Sequence, residues 1–146
     1  MTATDKTAPS QIDAITFEFD LQHRPEKVWR ALTDPLLLAE WLLPAFDLTL
    51  EPGAAFAFKT QPHPGWDGTV NCRFLEIDAP KTLSYTWVVG DMDTVVTFTL
   101  TPTTSGTLLS LVHSGFKPTQ KQNFAGARFG WRMMGGKLVD LLPKIP

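Results

Sequence analysis

The sequence predicts an α+β domain in which a curved antiparallel sheet of seven strands wraps round one long C-terminal helix. Apolar and polar residues alternate over Val96 to Pro102 and again over Leu109 to Phe116, the period of a half-buried strand. Phe124, Ala127, Trp131, Met134, Leu138 and Leu141 then recur at spacings of three and four, which is one face of a helix. The strand segments are joined by short turns, so neighbours in sequence pair antiparallel and the helices lie to one side.

Residues 1–12 are polar and read as a flexible arm, leaving 13–146 as one domain. Ile15, Phe17, Phe19 and Leu21 alternate with polar residues in the first strand. Arg24-Pro25-Glu26 opens a helix, with proline at its first position and an acid in its first turn. Val28, Trp29 and Leu32 form its apolar side, and Glu26 stands one turn from Arg30, close enough to pair. Asp34-Pro35 caps a second short helix, Leu36 to Leu42, which Pro44 stops.

A strand through Phe46, Leu48 and Leu50 follows. The turn Glu51-Pro52-Gly53-Ala54 returns it through Phe56 and Phe58. Residues 61–66 form a loop carrying His63 and Trp66. Val70, Cys72 and Phe74 share even parity, whereas Leu75 and Ile77 are odd, so a β-bulge is expected near Phe74-Leu75. Leu83, Tyr85, Trp87 and Val89 make the next strand, Gly90-Asp91 turns it back, and Thr103 to Gly106 form the last turn.

Composition narrows the function classes. Charged residues make up 19% of the chain and net charge is −2, with no basic run longer than two residues. Nucleic-acid binding, which needs a concentrated positive footprint, is not expected. No apolar run approaches the roughly 20 residues that span a bilayer. Cys72 is the lone cysteine, which excludes an internal disulfide and fits a reducing cytoplasm. No phosphate-binding glycine loop or metal-ligand spacing is present, so no cofactor and no metal are expected. Phe and Trp together outnumber Tyr fifteen to one, which makes the interior rich in rings and poor in hydroxyls.

The candidate site is therefore the space between sheet and last helix. Its expected lining comes from strand parity: Phe56, Phe58, Cys72, Phe74, Tyr85, Trp87 and His113. Trp66 on the proline-containing loop either covers the mouth or packs locally, and Met134 closes the helix side. Gly135-Gly136 marks either a kink or a place where missing side chains leave room for a ligand. His113 is either a satisfied core histidine or a ligand-orienting, proton-transferring group. It is the one weak catalytic candidate, with Tyr85 or Glu76 beside it. Cys72 reads as a small buried hydrophobe rather than a nucleophile. Arg73 has the opposite parity and faces solvent.

Several segments together resemble a known family. Residues Val28 to Pro35 followed by Trp41, Trp66-Asp67-Gly68, Leu75 to Pro80, Tyr85-Thr86-Trp87, Val96 to Leu100, His113 to Phe116 and Gly130-Trp131 are similar to the activator of heat-shock-protein-90 ATPase homologues. These belong to the START-like, SRPBCC helix-grip superfamily. The resemblance covers roughly residues 13–142. It implies a helix-grip fold over a deep cavity, wider here because Gly135 stands where the family usually carries a larger apolar residue. It also implies several kinds of partner: a hydrophobic or amphipathic small molecule such as a lipid, or a chaperone or stress-response protein. Cyclase- or hydrolase-like chemistry on a hydrophobic substrate is a further implication. Chaperone activation is not expected, since the eukaryotic activator uses a second domain for which this sequence has no room. A monomer or a homodimer fits equally.

Overall fold

The computed structural model describes residues 3–8, 12–62 and 64–146, so His63 lies outside the described residues. Among the described residues one antiparallel sheet holds eight strands: β1 (Ala3–Asp5), β2 (Ala14–Leu21), β3 (Ala45–Phe46), β4 (Ala55–Lys59), β5 (Thr69–Asp78), β6 (Thr82–Val89), β7 (Met92–Pro102) and β8 (Thr107–Ser114). Their order across the sheet is β1-β2-β8-β7-β6-β5-β4-β3. Helices α1 (Pro25–Thr33) and α2 (Pro35–Trp41) follow β2, and α3 (Lys121–Leu141) closes the chain with a 3-10 turn, Leu142–Lys144. This is an α+β helix-grip fold.

The eighth strand comes from the segment expected to be a floppy arm. Ala3, Thr4 and Asp5 pair with Phe19, Glu18 and Phe17 of β2. Such a short strand is held by more than its ladder. Arg128 Nε on α3 donates to Asp5 Oδ2 at 2.6 Å, and an Arg132 guanidinium nitrogen donates to the same oxygen at 3.2 Å. Burial would raise the Asp5 carboxyl. The Arg128 bond and the Thr7 amide outweigh it and hold the group below its usual value. Strand β1 is thereby clipped to α3 across the sheet edge.

The alternation seen in sequence becomes burial. Ile15, Phe17, Phe19 and Leu21 of β2 are buried, and so are Leu109, Leu111 and His113 of β8. The expected bulge is present: register shifts between Phe74 and Glu76, and the extra residue, Leu75, is exposed. The turn before β4 closes with Ala54 N–H donating to Glu51 O at 3.0 Å and Gly53 at φ +84°. The strand expected through Leu50 is cut to Ala45–Phe46. Asp47 sits at φ +61°, a left-handed conformation that ends the extended run.

On the helix side, Asp34 caps α2 by accepting from Leu36 N–H at 2.9 Å. Arg30 does not bridge to Glu26; it donates to the Pro146 carbonyl at 2.6 Å. Helix α3 is continuous through its glycines. Trp131, Gly135 and Leu138 are its buried positions, while Phe124, Ala127, Met134 and Leu141 are half-buried against the core. Gly136 is exposed, and an added Cβ there would meet no atom within 4 Å.

Replacing Asp5 by alanine removes both arginine contacts. Urea denaturation should then show a loss of about 1 kcal/mol, with faster amide exchange confined mostly to β1. An unchanged midpoint would mean the clip contributes nothing to the sheet edge.

Candidate functional site

Cross-strand register brings the inner-face residues together. Phe56 stands opposite Cys72, Phe74 opposite Tyr85, Leu83 opposite Phe98, and Val96 between Tyr85 and His113. All seven strand residues expected to line the site are buried: Phe56, Phe58, Cys72, Phe74, Tyr85, Trp87 and His113. Trp66 and Met134 are half-buried against the same core, and Gly135 is a buried position of α3. Trp66 Nε1 donates to the Thr69 carbonyl at 2.9 Å, which holds the loop tryptophan down onto the sheet.

Ring contacts fill the space between sheet and helix. Phe56 stacks on Phe74 at 4.5 Å between centroids. Tyr85 meets Phe56 at 5.2 Å, Phe74 at 5.8 Å, Phe58 at 6.0 Å and Phe98 at 6.2 Å. Trp131 on α3 completes the layer against Trp87 at 5.5 Å and Phe98 at 6.2 Å. Such offset and edge-to-face pairs are favoured by the ring quadrupoles. The larger surface grooves lie elsewhere. One of about 630 Å³ runs beside Arg24, Lys27 and Arg30.

Three polar side chains sit inside this apolar layer, and they are treated very differently. Two belong to one relay. Trp131 Nε1–H can only donate, and it reaches His113 Nδ1 at 2.9 Å. Nδ1 is therefore unprotonated and the proton is on Nε2, which donates to Thr94 Oγ1 at 2.7 Å. The Thr94 hydroxyl in turn donates a hydrogen bond to the Trp87 carbonyl at 2.6 Å. Every donor and acceptor is used. Burial also pushes the His113 pKa down to about 3, so the ring is neutral. His113 is thus the satisfied core histidine of the two readings the sequence left open. Glu76, its conceivable acidic partner, is exposed beyond the bulge.

The third group is Tyr85, and it has no such support. Its Oη is buried and has no hydrogen-bond partner among the described residues. Burial, and then the adjacent Cys72, raise its pKa well above the ordinary value, so the phenol is a neutral donor. Cys72 is buried and its thiol is pushed up to about 12, with a weak contact from Sγ to the Val70 carbonyl at 3.8 Å. That thiol is protonated and unsuited to nucleophilic attack. Among the described residues no cluster of His, Cys, Asp and Glu could hold a metal ion. No helix among the described residues is long and apolar enough to cross a membrane.

Sequence reasoning missed Thr94, Phe98 and Phe116. The parity of Thr94 with Val96 and Phe98 was the available signal, but the strand was read as starting at Val96. Phe116 packs on His113 at 4.7 Å, and its signal was the run that ends β8.

The His113 relay has a pH consequence. An unfolded imidazole titrates near 6.5, the folded one near 3. As pH falls the unfolded chain takes up the proton first. Stability is therefore complete above pH 6.5 and erodes below it by up to about 1.4 kcal/mol per unit until about pH 3. His113→Gln should be less stable at pH 7 by about 1–3 kcal/mol. Its unfolding free energy should lack this slope, seen as convergence with the parent protein on acidification. Parallel curves would show that His113 is not the group responsible.

No curated protein matches the chain by sequence. Among solved structures, protein MLL2253 from Mesorhizobium loti is 40% identical, with a TM-score of 0.83 over 90% of this chain and 97% of that one. Protein CV1439 from Chromobacterium violaceum is 27% identical, with a TM-score of 0.72 over 90% and 98%. DynU16, a protein in the dynemicin biosynthetic locus, is 20% identical with a TM-score of 0.75, over 91% of this chain and 48% of that one, and shares the fold. The sequence profile described as Activator of Hsp90 ATPase homolog 1-like protein matches residues 22–143. With most of its length matched, from the turn before α1 to the end of α3, the chain belongs to the Activator of Hsp90 ATPase homolog 1-like family.

Proposed function

We propose that this protein binds a hydrophobic or amphipathic small molecule between its sheet and α3, in the cytoplasm. The observation that carries the reading is the buried, unpartnered Tyr85 hydroxyl. A buried donor without an acceptor costs about 1–3 kcal/mol, a burden phenylalanine would avoid at the same volume. Its neighbours are already phenylalanines, so the hydroxyl has no packing purpose that a ring alone would not serve. Binding requires the rings round Tyr85 to separate, with Trp66, Met134 and Gly135 bordering the opened space. The layered aromatic contacts are the resting, closed arrangement.

A second reading is protein interaction. Phe129 and Met133 lie four residues apart on the outer side of α3 and are 61% and 53% exposed. Pull-down with the heat-shock-protein-90 ATPase chaperone, with and without nucleotide, tests it. Capture that disappears in a Phe129→Ser, Met133→Ser double variant would favour it over ligand binding.

The binding reading predicts opposite effects from one substitution. Tyr85→Phe should raise the stability of the ligand-free protein by about 1–3 kcal/mol in denaturant titrations. The same variant should respond less than the parent to added hydrophobic ligand in a thermal-shift series. A variant that is destabilised would show that the hydroxyl is satisfied within the fold.

A further inference from the structure

We infer that the outer face of α3 docks the protein on an anionic membrane surface, with Phe129 and Met133 entering the bilayer interface and the Lys and Arg residues beside them meeting lipid phosphates. The inference is independent of the small-molecule reading above, and it gives the exposed Phe129–Met133 pair a lipid occupant in place of a chaperone.

The first observation is how charge is divided along the chain. Residues 117–146 hold six Lys or Arg and one Asp, a net charge of +5, while residues 1–116 hold seven Lys or Arg against fourteen Asp or Glu, a net −7. The overall charge of −2 hides this split. A surface rich in anionic lipid attracts α3 and, on balance, repels the rest, which orients the protein as it approaches.

The second is where those cations stand. Helical geometry puts Phe129 and Met133 one turn apart on the outer face, with Lys121, Arg128 and Arg132 to one side of them and Lys137 to the other. Lys121, Arg132 and Lys137 are exposed, and neither lysine makes an ion pair among the described residues. The two arginines already hold one oxyanion together: both donate to the Asp5 carboxylate, and the Arg132 side chain is still 59% exposed. A groove of about 340 Å³ is lined by Phe124, Ala125, Phe129 and the same two arginines, so apolar surface and guanidinium charge border one space. That pairing complements a lipid, whose phosphate sits directly above its acyl chains.

The third is shape. The outer surface of a single helix is convex, and an added Cβ at Gly126 or Gly136 would meet no atom within 4 Å, so Phe129 and Met133 stand out from low ground. Stable protein complexes bury roughly 1,200–2,000 Å² of closely matched surface, which two protruding side chains do not supply. A bilayer needs no matched shape: it takes up each apolar side chain separately while cations settle among the headgroups.

Co-sedimentation of the whole protein with vesicles tests the assignment. Vesicles of equal parts phosphatidylcholine and phosphatidylglycerol should bind it about tenfold more tightly than phosphatidylcholine alone, and high salt should remove most of the difference. Two double variants leave the Asp5 contacts in place and separate the contributions. Phe129→Ser with Met133→Ser, and Lys121→Glu with Lys137→Glu, should each weaken binding to the mixed vesicles by about tenfold while the circular dichroism spectrum is unchanged. Equal affinity for the two vesicles, or no binding to either, would overturn the inference. Unchanged binding by either variant would do the same, since contact would then lie on another face. Binding to soluble polyglutamate without binding to vesicles would assign the face to an acidic protein and overturn the membrane partner. None of these outcomes bears on the small-molecule reading, which is tested with soluble ligands and at Tyr85.

Discussion

A relay of three hydrogen bonds, from the Trp131 indole through the His113 ring and the Thr94 hydroxyl to the Trp87 carbonyl, ties the long helix to three strands. The rest of the interior depends on it. A helix lying on a sheet through apolar contacts alone can slide, because the hydrophobic effect has no direction. The relay has direction. It fixes which side of α3 faces inward, and so which residues meet Phe98 and Trp87 across the gap. Because all of its donors and acceptors are satisfied in a low-dielectric setting, disrupting one member leaves others stranded.

Against this anchored side, the Tyr85 side is under-satisfied. The two regions share the same sheet and are only two strand positions apart on β6. One has been completed with every partner it needs, and the other has been left with an idle donor among rings. Natural cores rarely leave buried groups unmatched, and where they do the group commonly has a task. The contrast within one protein is more informative than either region alone. The relay at His113 is fully hydrogen-bonded and the Tyr85 hydroxyl is not, and the proposed binding reading takes Tyr85 as the place where the rings part.

How much of this was legible in the sequence follows from the range of each determinant. Strand parity is a local rule, so it placed Phe56, Phe58, Cys72, Phe74, Tyr85, Trp87 and His113 on the inner face, and the parity switch at Leu75 located the bulge. The spacing on α3 likewise put Trp131 and Leu138 inward. Determinants that join distant residues were not legible. Strand β1 depends on Asp5 meeting Arg128, 123 residues away. The role of His113 depends on Trp131 and Thr94, which no local pattern links to it. The early end of β3 was set by the backbone at Asp47 rather than by hydropathy. The closed state of the interior is a matter of ring volumes fitting together, and alternation says nothing about volume.

The central claim is that the interior beside Tyr85 holds a small molecule. Its most direct test is native mass spectrometry of freshly purified protein, before and after solvent extraction, with Tyr85→Phe prepared in parallel. The account predicts a discrete added mass on the parent protein that extraction removes and that the variant carries in much smaller amount. A parent protein showing only the mass of the bare chain, indistinguishable from the variant, would contradict it.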